Sequence, residues 1–360
     1  MDVPEGEGKM NIVAALARRM AERAGVTMEI RTTLDRREAL AGADFVTTQL
    51  RVGQLAARIK DERIPLKYGI LGQETNGAGG LFKGLRTIPV IMDICRDMEE
   101  LCPDAWLINF TNPVGMVTEA VHRYTNFRKI IGLCNVPIGM HKAIADKLER
   151  PMEEVQVTFG GLNHMVFATK VLVDGEDVTA RILENWGSQS VMNITGIAWN
   201  PEFVKELGIL PCSYHRYYYM TKEYLAEELE QYGKHELRAE LVKGVEDELF
   251  RLYRDSDLCE KPALLEKRGG AYYSDAACSL INSLYNDLGD IQTVNTVNNG
   301  AIDNFEAEEI VEVSCSITAA GPKPVRVGSL PNAVNGLVQQ IKSFEVAGSE
   351  AAVTGDRWKA

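Results

Sequence analysis

The sequence predicts an α/β protein, with a doubly wound parallel sheet in residues 1–150 followed by a mixed α+β half in residues 151–360. Three observations lead there. Apolar strand-like runs alternate with helical stretches up to about residue 148, the pattern of βαβ units. Beyond residue 150 the alternation stops, and β-segments are followed by long helical stretches. Finally, 360 residues with 45% apolar and 25% charged side chains match a folded chain of about two domains, at roughly 150 residues each.

The elements follow from periodicity. Residues 11–24 carry apolar side chains at helical spacing, with Arg and Glu between them. Residues 26–33 alternate like a strand, 36–41 read as a short helix, and 43–50 as a buried strand. A glycine-rich loop spans residues 69–80, and residues 88–101 form a helix. Residues 105–110 are a strand ended by Asn112-Pro113, with a helix beyond to Tyr124. Residues 129–134 are another strand, and Pro137 opens the next helix. In the second half, residues 156–159 and 165–173 are β-segments around a Gly160-Gly161 turn. Residues 220–255 are one long helical stretch, 309–318 a strand and 333–351 a helix. There is no internal repeat.

Composition excludes several classes. Thirty-nine basic against 51 acidic residues leave a net charge of −12, which disfavours nonspecific nucleic-acid binding and favours small-molecule partners. No 18-residue apolar run exists to span a membrane, and residues 1–9 contain no apolar core of a secretory signal. The seven cysteines, at 95, 102, 134, 212, 259, 278 and 315, form no CxxC pair, which reads as a reduced, cytoplasmic protein. A doubly wound (Rossmann-like) domain normally opens with a strand and a GxGxxG turn. No GxGxxG is present, and the chain reads as if it starts after the second strand and stops near a helix, so truncation at both ends is expected.

Several segments carry polar chemistry. The loop from Gly69 to Gly80 holds Gln73, Glu74 and Asn76 among five glycines, and suits either close backbone approach to a ligand or a plain surface connection. Asn109 to Pro113 lies where a strand ends, the usual ligand position in open α/β sheets; Thr111 or Asn112 could equally cap the next helix. Cys134 at another strand end and His164 in Gly161-Leu162-Asn163-His164 could share a divalent metal, or be an ordinary buried thiol and core histidine. Residues 211–219 contain four tyrosines, His215 and Arg216. A tyrosine beside a cation can act as a base, whereas the alternative is aromatic packing with His215 as support. Lys267-Arg268 before two glycines could grip a phosphate or lie on the surface. Asn295 to Gly300 reads as a plain turn.

Together these segments resemble glycoside hydrolase family 4. IPLKYGILGQETNGAGGLFKGLRTIP, INFTNPVG, IIGLCNVPIG, GLNHMVF, YHRYYY, KRGGAYYS and NNGAI occur in that order, and the resemblance runs from Asp2 to the last residues, closest to the 6-phospho-β-glucosidases. The resemblance implies a redox route, one of the exceptions to two-carboxylate glycosidase chemistry. NAD⁺ takes hydride from the sugar C3, a tyrosine removes the C2 proton, and a divalent metal, usually Mn²⁺, stabilises the enediolate. The aglycone is then eliminated, water adds, and the hydride returns.

Carried onto matching positions, the resemblance makes Cys134 and His164 the metal ligands and Tyr214 the C2 base, with Glu74 as a second catalytic residue close to the metal or nicotinamide. Arg58, Asn112, Asn163 and Arg268 would contact the phosphorylated sugar, Asp2 the adenosine ribose, and Asn109 and Thr111 the nicotinamide side. Asn135, in place of an acid after the cysteine, favours β-linked substrates. The implied partner is a phosphorylated disaccharide or aryl 6-phospho-β-glucoside, and the implied assembly a homodimer or homotetramer. Val297 departs from the arginine usual in relatives, and the glycine-rich NAD turn is missing. That second departure keeps two other readings open: an inactive module that binds sugar phosphate or a partner subunit, and a lactate- or malate-type dehydrogenase.

Overall fold

The computed structural model describes residues 1–184, 186, 197–269 and 272–360. The first half opens with α1 (Glu7–Arg23) and α2 (Arg36–Leu40), followed by β1 (Phe45–Thr48), α3 (Gln54–Leu66) and α4 (Gly77–Leu101). It continues with β2 (Trp106–Asn109), α5 (Val114–Tyr124), β3 (Ile130–Gly132) and α6 (Val136–Lys147). The second half begins with β4 (Val155–Leu162), β5 (Met165–Val173), β6 (Glu176–Asp177) and α7 (Thr179–Leu183). Then come α8 (Pro201–Leu207), β7 (Leu210–Pro211), α9 (Arg216–Tyr219), α10 (Thr221–Lys234) and α11 (Arg238–Tyr253). The chain ends with α12 (Leu265–Arg268), α13 (Tyr273–Asn286), β8 (Ile291–Val297), β9 (Ile310–Thr318), β10 (Gly321–Pro324) and α14 (Asn332–Thr354).

One mixed sheet runs through both halves in the order β1-β2-β3-β8-β9-β4-β5-β6, with β10 on β9 and β7 on β5. The three strands of the first half are parallel, because each is joined to the next by helices. The parallel part meets the antiparallel part where Gly132 of β3 pairs with Asn295 of β8. Ile108, Ile131, Phe167 and Val313 are fully buried at the centre of the largest apolar cluster. Among the described residues, no helix is long and apolar enough to cross a membrane.

The structure corrects the sequence reading at several elements. Residues 26–33 are not a strand. Val26 and Met28 are exposed, and no other strand of the described residues runs alongside to complete a ladder. The expected strand at 43–50 is shorter, at Phe45–Thr48, and only half-buried. Gly160 and Gly161 do not turn the chain. Gly161, at φ +143°, sits inside β4, where a Cβ would come within 2.3 Å of the Met165 carbonyl oxygen. The hairpin turns instead at Asn163-His164, with His164 at φ +59°. Helix α4 begins at Gly77, inside the expected loop. The stretch 220–255 divides into α10 and α11 at His235, which is left-handed at φ +59°. Residues 295–297, expected in a turn, belong to β8.

Candidate active site

The site is built at strand ends. At the carboxyl ends of β1 and β2, Thr48 Oγ1 donates to Asn109 Oδ1 at 2.9 Å, and Thr111 N–H donates to the same oxygen at 3.1 Å. Asn109 Nδ2 donates back to the Thr111 carbonyl at 3.2 Å, while Thr111 Oγ1 accepts from Leu50 N–H at 3.0 Å. Asn109 and Thr111 are buried and tie the two strand ends together, so their side chains position the loop above. Asn112, joined to Pro113 by a cis peptide, is different: its Oδ1 is buried and has no partner among the described residues. Helix α5 starts from Pro113 with no side-chain cap, so Thr111 and Asn112 do not cap it.

Cys134 follows β3, and His164 is the turn residue between β4 and β5. The imidazole lies flat on the Tyr214 ring, with centroids 3.8 Å apart and planes 6° from parallel. Asn163 donates through Nδ2 to Glu312 Oε1 at 3.2 Å and lies close enough to Cys134 to favour its thiolate. Asn295 Nδ2 donates to the same oxygen at 2.8 Å. Glu312, the one acid in strand β9, is fully buried with its Oε2 unpartnered among the described residues, and burial pushes its pKa up to about 7.

The protonation states follow from this burial. Burial, reinforced by Lys83, lowers His164 to about 3, so its imidazole is neutral with a lone pair available to a metal. Burial and the neighbouring Glu312 raise the Cys134 thiol. Burial, and then Cys134, raise Tyr214 well above the usual phenol range. A divalent cation held between Cys134 and His164 would reverse that balance by stabilising both thiolate and phenolate. A thiol and a neutral imidazole, both close to Tyr214, are donor types that fit such an ion, though no third His, Cys, Asp or Glu joins them among the described residues.

The loop before α4 supplies the charge. Glu74, partly buried, lies among three cations: Arg51, Arg58 Nη1 at 3.3 Å and Lys83 Nζ at 3.1 Å. Burial alone would raise its pKa, but Lys83, Arg58 and Arg51 outweigh burial and hold it well below the usual carboxylate range. Burial lowers Lys83 to about 8. Arg58 also pairs with Glu62 at 2.8 Å. The loop is fastened from α10 by Glu228, which accepts from Gly72 N–H at 2.8 Å and from Gln73 Nε2. Gly72 lies so close to α3 that a Cβ there would be 1.9 Å from the Glu62 carbonyl oxygen. Glu74 is thus an ion-paired anchor of this cluster, close enough for its charge to act on His164 and Tyr214.

Two expected residues stand apart from this cluster. Asp2 is partly exposed, accepts from Val3 N–H at 2.7 Å, and packs its carboxylate against Gly6. Arg268, at the end of α12, pairs with Glu246 at 3.3 Å. Gly270 and Ala271 of the KRGGAYYS segment lie outside the described residues. Sequence reasoning missed Arg51, Lys83 and Glu312. Lys83 could have been noticed as the cation in the GLFKG run, and Glu312 as the lone acid midway through VEVS.

Comparison with known proteins places this geometry. The family model "Family 4 glycosyl hydrolase" matches residues 1–150, and "Family 4 glycosyl hydrolase C-terminal domain" matches residues 159–360. A "Probable 6-phospho-beta-glucosidase" of Bacillus subtilis (strain 168) is 60% identical over 360 residues, 99% of this chain and 81% of that protein. A 6-phospho-beta-glucosidase of Escherichia coli (strain K12) is 52% identical over 363 residues, with the same shares covered. The 6-phospho-beta glucosidase of Thermotoga maritima, solved with manganese, NAD⁺ and glucose-6-phosphate, superposes with a TM-score of 0.87 at 34% identity, covering 98% of this chain and 82% of that one. With both family models matched along the chain and a relative 60% identical across it, this protein belongs to family 4 of the glycosyl hydrolases.

Proposed function

We propose that this chain hydrolyses 6-phospho-β-glucosides with NAD⁺ and a divalent metal, Mn²⁺ or a similar ion. The observation that carries this reading is the neutral His164 ring stacked on Tyr214, with the Cys134 thiol close to the same phenol. When bound, NAD⁺ supplies a reversible oxidation at the sugar C3, and the metal supplies a fixed positive charge beside it. Cys134 and His164 would hold the metal, with Asn163, itself fixed by Glu312, close behind the cysteine. Tyr214 takes the C2 proton, which oxidation at C3 has made acidic. Asn112, with its unpartnered oxygen at a strand end, suits a sugar or ribose hydroxyl. Arg58 faces the charged end of the substrate, with Arg268 as a further candidate and Asp2 for the adenosine ribose. Glu74 keeps the surrounding cations in place.

In this reading, residues 1–150 serve the nucleotide, and residues 151–360 supply the base and most of the sugar site. A cytoplasmic location and a homodimer or homotetramer are part of the same proposal, in keeping with seven unpaired cysteines. The dehydrogenase reading is less favoured, because such enzymes use a histidine–aspartate pair. Neither buried histidine, His164 or His215, has an aspartate partner among the described residues.

The test is release of nitrophenol from p-nitrophenyl 6-phospho-β-glucoside under reducing conditions, with NAD⁺ and Mn²⁺ each added or withheld. Release only when both are present is expected. Release with neither would overturn the redox route, and NADH accumulating without nitrophenol would support the dehydrogenase alternative.

A further inference from the structure

A cavity of about 590 Å³ lies beside this site without including Cys134, His164 or Tyr214. Its walls come from Leu71, three consecutive tyrosines (Tyr217, Tyr218 and Tyr219), and Leu337 and Gln340 of α14. Its size falls within the roughly 300–1,000 Å³ typical of small-molecule pockets, and aromatic walls with a few polar groups are the usual lining of one.

Three contacts join the cavity to the chemistry. Tyr217, one of its walls, packs edge-on against Tyr214 with ring centroids 5.9 Å apart. Gln73 and Asn76 also line it and flank Glu74 in the chain, and Asn76 Nδ2 donates to Tyr218 Oη at 3.0 Å. On the opposite wall, Leu337 begins a stripe of α14 that continues through Ile341 to Glu345, four residues apart on one helix face. Glu345 reaches the floor of the site: a Cβ on Gly115 would lie 2.2 Å from Glu345 Oε1 and 3.3 Å from Asn163 Cβ.

Charge decides what fits there. No residue lining the cavity is ionised at neutral pH, since burial pushes Tyr218 up to about 12 and raises Tyr217 and Tyr219 as well. The cations Arg51, Arg58 and Lys83 gather instead around Glu74. A dianionic phosphate belongs with those cations, and a neutral ring belongs between the tyrosines.

Resting on the hydrolase reading above, we propose that this cavity is the subsite for the leaving group, an uncharged aryl or glycosyl ring expelled from C1. The tyrosines stack on the ring, and the amides of Gln73, Asn76 and Gln340 serve the hydroxyls of a glycosyl group.

The test separates binding from turnover. Leu337→Trp and, independently, Gln340→Trp place an indole in the cavity, and thermal unfolding checks that each variant folds. Calorimetry without NAD⁺, so that nothing turns over, compares p-nitrophenyl 6-phospho-β-glucoside, cellobiose 6′-phosphate and glucose 6-phosphate. Wild type is expected to bind the two substrates at least tenfold more tightly than glucose 6-phosphate, which lacks a leaving group. A folded variant is expected to lose that margin while its glucose 6-phosphate affinity stays within twofold. Loss for one substrate only identifies whether the subsite takes aryl or glycosyl rings. Equal binding of all three by wild type, an unchanged margin in both variants, or an equal loss for all three ligands would overturn the subsite. Absence of hydrolysis with NAD⁺ and Mn²⁺ restored, while the binding margin behaves as expected, would refute the reaction and leave the subsite standing.

Discussion

His164 and Tyr214 show how one contact can set two chemical roles. The flat stack buries both rings, so the imidazole stays neutral, as a metal ligand must, while the phenol is held from ionising until a cation is near. Tyr214→Phe keeps the stack and removes only the oxygen. It is expected to abolish exchange of the sugar C2 proton with solvent and to lower kcat by about 10²–10⁴-fold, the usual contribution of a positioned base. Mn²⁺ affinity should stay unchanged. Exchange followed by proton NMR in D₂O, alongside a metal titration, checks both outcomes; exchange at the wild-type rate would remove Tyr214 from the role. At this scale the sequence pointed to the placement of Cys134 and His164 because a thiol and an imidazole stand at a strand end and a hairpin turn. It was least legible where an ordinary residue gains meaning through partners distant in the chain. Arg51 and Lys83 converge on Glu74 only after the loop and α4 have folded together, and Asn109, offered as a cofactor contact, is occupied by Thr48 from another strand.

Among the elements, the loop between α3 and α4 depends on its neighbours for its shape. Glu228 of α10 holds it at Gly72 and Gln73, and burial pushes that carboxyl up to about 7. The folded form therefore favours protonated Glu228, whereas the unfolded chain ionises near 4.5. Its contribution is fully present below pH 4.5, declines as the pH rises, and is lost above about 7. Glu228→Gln removes this dependence, so the urea midpoint of wild type relative to the variant is expected to fall between pH 4.5 and 7.5. A constant difference across that range would show that Glu228 does not titrate there. Helix α3 was missed in the sequence for a related reason. It starts at Gly53 without a side-chain cap and runs through Pro65 near its end, so neither boundary carries the usual signal. Residues 26–33 show the converse: alternation predicts a strand only if a partner strand lies alongside.

For the whole molecule, the two halves are joined at their centre. Lys342 of α14 donates to Glu119 of α5 at 2.8 Å, to Glu345 at 2.8 Å and to the Ile310 carbonyl at the start of β9 at 2.7 Å, all buried. Lys342→Met would leave Glu345 without its cation and Glu119 with Arg123 alone. It is expected to cost about 3–5 kcal/mol, the range for breaking a buried ion pair from one side. Equilibrium urea unfolding checks this, and a loss below about 1 kcal/mol would show that the carboxylates are relieved by protonation or water. The α/β class and the switch from parallel to mixed sheet near residue 150 were legible because helix and strand periods differ. The joint itself was not, because Asn295 looks like turn chemistry until its neighbour across the sheet is known. Its backbone pairs with Gly132, and its side chain reaches the Glu312 carboxylate, which Asn163 also holds. A clamshell that closed around a ligand would need a hinge between the two halves, and opening that hinge would tear β3 from β8 at Gly132 and Asn295, two residues from Cys134. A sheet continuous across both halves therefore leaves admission and release to the loops and side chains along its rim rather than to a swing of one half against the other.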